Sequence, residues 1–141
     1  MSKEKQLKEL KTKVKNADSA AKRRAIISAF YEIVRNGMEI KVHNVALNKE
    51  ISITNISERK TINRASFDKK STLAVFELLN IITNATVVED NLPPKIDSRK
   101  QKSFKKLIKM SCFVAEIGEV KLIVGVNGVG KHIQYSLSAV E

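Results

Sequence analysis

Leu7, Leu10 and Val14 recur three or four residues apart, and after Asp18 the set Ile26, Ile27, Phe30, Ile33 and Val34 repeats that spacing. Residues 3–36 are therefore expected to be helical, with Asp18 or Ser19 capping the second helix and Gly37 closing it. The first stretch has few apolar positions and six lysines between Lys3 and Lys15, so it is expected to fray or act as a mobile arm. After Gly37 the period falls to two. Met38, Ile40 and Val42 alternate with Glu39, Lys41 and His43, and Ile51 and Ile53 resume the pattern, which predicts two antiparallel strands.

Residues 55–70 lose regularity and fill with polar and cationic side chains, as in an irregular loop. From Ser71, Leu73, Phe76, Leu79 and Ile82 fall on one helical face, widened by Ala74, Leu78 and Ile81. A short strand, Ala85–Val88, follows. Asp90-Asn91-Leu92-Pro93-Pro94 is expected to open a loop that continues through the basic run Lys95–Lys106, because neither proline can donate a hydrogen bond. The rest reads as a three-strand meander, Leu107–Ile117, Val120–Val126 and His132–Val140, with turns at Gly118-Glu119 and Asn127–Gly130. Pleating should turn Ile133, Tyr135, Leu137 and Ala139 to the core and His132, Gln134, Ser136 and Ser138 to an open polar face. Helices first and sheet last predict an α+β fold: N-terminal helices, then an antiparallel sheet with one helix packed on it and a C-terminal three-strand meander.

Composition sharpens this. The chain has 141 residues, enough for one core, and 26 Lys and Arg against 15 Asp and Glu leave a formal charge of +11, which favours a polyanionic partner. One Cys excludes an internal disulfide and, with only two His, argues against a structural zinc site. No apolar run is long enough to span a bilayer and the N-terminus is charged, so a cytoplasmic protein without membrane attachment is expected.

Gly125-Val126-Asn127-Gly128-Val129-Gly130-Lys131-His132 has the glycine and lysine spacing of a phosphate-binding loop. The motif fails on chemistry: His132 replaces the magnesium-binding hydroxyl, and the following residues alternate as a strand rather than opening a helix. Asn127-Gly128 reads better as a hairpin turn needing positive φ. His132, beside Lys131 and followed by Ser136 and Ser138, could move a proton while a neighbouring cation stabilises charge on phosphorus, as metal-free RNA cleavage requires. His43 reads as a solvated strand residue, since nothing local brings it near His132. Cys112 reads as an inert core thiol.

The segment Asn55–Lys70 carries Arg59, Lys60, Arg64, Lys69 and Lys70 with hydroxyls and amides between them, a composition suited to phosphate and sugar contacts. Arg99, Lys100 and Lys102 form a second cationic patch whose one ring is Phe104. With aromatic residues at 5%, base stacking is expected to be limited and electrostatic attachment to a structured nucleic acid fits better.

The order of these pieces, with the helix running into "NATVVED" and the last strand reading "GKHIQYSLSAV", resembles the barnase/EndoU/colicin D/RelE-like RNase superfamily, in its phage- or polymorphic-toxin-associated branch. The likeness covers residues 38–141 and leaves residues 1–37 as a basic helical leader. It implies a metal-independent endoribonuclease of toxin type, a nuclease and hydrolase of a mobile element that acts on tRNA or another structured RNA, needs no cofactor and is held by a cognate inhibitor protein. By position it makes His132 the acid/base, Lys60 and Arg64 the phosphate-holding cations, and Ser136 or Gln134 the substrate-orienting groups. Arg59, Lys69, Lys70, Arg99, Lys100, Lys102 and Lys131 would then hold RNA. Two rival readings are a non-catalytic nucleic-acid-binding accessory protein of a phage or plasmid, and an interaction module that docks on an acidic protein.

Overall fold

The computed structural model describes residues 2–95 and 103–140, which form an α+β fold. The helices are α1 (Lys3–Thr12), α2 (Ala20–Arg35), α3 (Asn55–Ala65), α4 (Lys69–Val75) and α5 (Leu78–Asn84). The strands are β1 (Ile40–Asn44), β2 (Lys49–Ile53), β3 (Thr86–Leu92), β4 (Phe104–Val114), β5 (Gly118–Asn127) and β6 (His132–Ala139). All six strands form one sheet in the order β1-β2-β6-β5-β4-β3. Every pairing is antiparallel except β2 with β6, a parallel join of two residue pairs, Ile51 with His132 and Ser52 with Ile133.

The α1 helix is not a loose arm. Leu10 and Val14 are buried in the same core as Ile27, Phe30 and Tyr31 of α2 and Leu122 and Leu137 of the sheet, so residues on both sides of position 37 share one core. Ser19 caps α2 by accepting from the Lys22 amide, and Asn36, at φ 50°, ends it before Gly37. Alternate residues of β4 and β5, including Ile108, Met110, Val120, Leu122 and Val124, enter this core. The intervening set, Lys109, Ser111, Phe113, Glu119 and Lys121, lies on the opposite side of the sheet.

Several local expectations need correction. Residues 55–65 are helix, not loop, because Thr54 and Ser57 build a reciprocal cap and the buried face is made of small residues, Ser57, Thr61 and Ala65. The helix expected from Ser71 is two short helices that break at Phe76 and Glu77, and Leu79 is exposed. Strand β3 runs on to Leu92 through two register shifts, with Asn91 at φ 63°. It is an edge strand, so the prolines that follow interrupt no ladder. In the last hairpin Asn127 Oδ1 accepts from the amides of Val129 and Lys131, and positive φ is found at Gly130 rather than Gly128.

Where β2 leaves β6, α3 and α4 take its place along the strand. The Ser57 hydroxyl donates to the Gln134 carbonyl, and the Ala139 amide donates to Ser71 Oγ at 2.9 Å. Helix hydroxyls thus satisfy backbone groups that would otherwise face an open sheet edge.

Gly125 is fixed by packing, not by phosphate chemistry. A Cβ there would meet the Phe104 ring at 2.7 Å. Gly125→Ala is expected to cost about 1–3 kcal/mol through overpacking. A urea titration checks this, and an unchanged midpoint would show that the ring can move aside.

Candidate nucleic-acid interface

The polar face expected of β6 is largely absent, for a geometric reason. Ile123 pairs with Ser136 and Val124 with Gln134, so Tyr135 is the extra residue of a bulge and the alternation slips by one. Gln134 is fully buried: Tyr31 Oη donates to its Oε1 at 2.9 Å, and its Nε2 donates to Thr61 Oγ1 at 2.8 Å. Burial pushes the Tyr31 phenol well above its usual range. Ser136 is buried as well, and Ala139, expected in the core, is only half-buried. Gln134 and Ser136 are therefore structural in their surroundings, and a substrate-orienting role for them does not fit this burial.

The remaining site candidates separate into two places. Toward the Ser138 end, Arg64 lines a concavity with Asn63, Phe67 and Ser138, and the neighbouring concavity is lined by Lys109, Ser111, Glu119 and Lys121. Partial burial first, then the charges of Arg64 and Lys109, pull the Lys121 ammonium below its ordinary range. No carboxylate lies within 4.0 Å of the charged nitrogens of Arg64, Lys109 or Lys121 among the described residues. Phe113 and Phe67 stand 78% and 75% exposed beside these cations. Lys60 sits between the two places, its Nζ 5.4 Å from the centroid of the Tyr135 ring.

His132 is at the other end of β6, in a hollow of about 320 Å³ with Lys41, Lys49, Glu50, Ser52, Gly130 and Lys131. Arg64 and Ser138 are therefore removed from it by most of the strand, roughly 20 Å at the usual rise per residue. The fold does not bring His132 together with Arg64 and Ser136. It brings His132 instead toward the β1–β2 hairpin, where His43 Nδ1 lies 3.5 Å from Glu50 Oε1.

Other cations have local tasks. Lys69 Nζ donates to the Lys15 carbonyl and pairs with Asp18, and Lys131 pairs with Glu39 at 2.6 Å. Arg59 and Lys70 are exposed. Arg99, Lys100 and Lys102 lie outside the described residues. Phe104, the ring expected to stack on a base, is buried against Tyr135. Burial raises the Cys112 thiol, as expected of an inert side chain. Among the described residues no three His, Cys, Asp or Glu side chains group to hold a metal ion, and no helix is long and apolar enough to cross a membrane.

Sequence reasoning missed Lys109, Lys121 and Phe113. Their signal was the alternation of polar and apolar residues in β4 and β5, which places all three on the side opposite the main core, beyond a small buried cluster of Phe104, Leu107, Ile133 and Tyr135. Comparison with protein-family models, with curated proteins and with solved structures finds no match.

Proposed function

We propose that the protein binds RNA, chiefly through the sugar-phosphate backbone, on the side of the β4–β5–β6 sheet opposite the main core. The observation that carries this reading is the convergence of Arg64 from α3, Lys109 from β4 and Lys121 from β5, none of them with a carboxylate within 4.0 Å among the described residues. Like charges gathered on a fold repel one another, and a phosphate backbone laid across them relieves that repulsion while releasing counterions. The net charge of +11 adds long-range attraction. The exposed rings of Phe113 and Phe67 offer faces for unpaired bases, which favours RNA with single-stranded stretches over a plain duplex. The resemblance of the sequence to the RNase superfamily is a further reason to take RNA as the ligand, with the cytoplasm as its setting.

Fluorescence anisotropy with a labelled RNA oligonucleotide tests this. Affinity should fall steeply between about 50 and 200 mM salt. Arg64→Gln combined with Lys121→Gln should weaken binding about tenfold and flatten the log–log salt slope by about 1.4, the value for two phosphate contacts on a single strand. A protein that does not bind RNA, or a double variant that binds as tightly as the parent, overturns the reading.

A further inference from the structure

We infer that the groove between α1 and α4 is a docking site for an acidic amphipathic helix of a second protein. The inference goes beyond the RNA reading and does not depend on it, because it uses a different face of the molecule.

The groove has a volume of about 780 Å³ and a lining that is almost all carbon. One wall is Lys8, Lys11 and Thr12 of α1 with Val14 and Lys15 of the single 3-10 turn, Lys13–Asn16, that prolongs it. The other wall is Lys69 and Leu73 of α4. Val14 is buried and Leu73 half-buried, so much of the exposed carbon belongs to the methylene stems of the lysines. A lysine stem laid along such a wall keeps its ammonium at the water-facing rim. The groove is an apolar trough with a cationic border.

Charge and spacing choose the occupant. Lys8, Lys11 and Lys15 recur at three and four residues, so they form one stripe about 10 Å long down a single side of the helix. None of the three has a carboxylate within 4.0 Å among the described residues. Lys69, by contrast, donates to the Lys15 carbonyl and pairs with Asp18, which ties the two walls together. A helix laid along the trough meets the stripe with carboxylates at the same spacing, while its apolar side chains, one turn apart, enter between the walls. A second copy of this chain does not fit, since none of α1 to α5 carries net negative charge. On α4, Lys69 and Leu73 share one side, whereas Ser71, two residues from each, points the opposite way into the concavity of Arg64. A partner docked in the groove therefore tethers the protein without covering Arg64.

The full-length protein is titrated against a labelled synthetic helix of about 18 residues with leucines on one face and glutamates flanking them. A scrambled peptide of the same composition and phosphatidylserine vesicles are measured in parallel. The amphipathic helix should bind about tenfold more tightly than the scrambled peptide, because only it presents its leucines together. Thr12→Trp fills the trough without altering charge, and should weaken helix binding about tenfold while leaving RNA affinity unchanged. Lys8→Gln combined with Lys11→Gln should weaken it about fivefold, the loss expected for two exposed ion pairs. These are exposed positions, and a thermal melt verifies that both variants fold. Equal binding of the scrambled peptide, full binding by Thr12→Trp, displacement of the helix by RNA, or binding of vesicles but not of the helix overturns the inference, as does no binding at all. Failure to bind RNA sinks the other reading alone, since helix binding is read without RNA present.

Discussion

Replacing Asn44 with alanine is expected to destabilise the protein by about 3 kcal/mol, lowering the thermal midpoint by roughly 10 °C. The side chain is fully buried and makes three hydrogen bonds to backbone. Its Nδ2 donates to the carbonyls of Ile82 at 2.7 Å and Ala85 at 3.0 Å, and its Oδ1 accepts from the Leu47 amide at 2.7 Å. One amide thus ties the end of α5 to the β1–β2 connection. Alanine leaves a donor and two acceptors without partners, and it is these orphaned groups rather than the lost side chain that set the cost. Calorimetry on the purified variant measures it. A loss under about 1 kcal/mol would mean that water reaches the three groups.

Gln134→Leu is expected to cost about as much, and to do so without changing RNA affinity. The substitution keeps the volume of the side chain but takes a hydrogen-bond partner from each of the buried Tyr31 and Thr61 hydroxyls. Adding Tyr31→Phe should recover about 1 kcal/mol, because removing both partners of a buried bond is cheaper than removing one. Urea titrations of the two single variants and the double variant supply the cycle. If Gln134 instead orients substrate, as its place in the sequence suggests, Gln134→Leu would leave stability alone and reduce function.

That contrast marks where sequence reading reached and where it stopped. The wide apolar stripe of α2 and the alternation of β4 and β5 are strong local signals, and both elements follow them. Helix α3 escaped because its buried side is Ser57, Thr61 and Ala65, small residues that a hydrophobicity pattern does not register. The polar row of β6 was misjudged because one extra residue, Tyr135, shifts the pleat, and a bulge leaves no mark in composition. At the site, His132, Lys60 and Arg64 were visible as chemistry-bearing residues, but their distance apart was not. The approach of Lys41 and Glu50 to His132 depends on a two-residue parallel join between segments some eighty positions apart, for which no spacing rule exists.

That join also orders the folding of the chain. The β4–β5–β6 meander closes through short turns and can assemble early, whereas bringing β2 alongside β6 closes a long loop and its entropic cost must be met first. The hollow around His132 belongs to this late step. A nascent or partly folded chain would therefore already carry its cations while still lacking the hollow that Lys41, Glu50 and Ser52 form with His132.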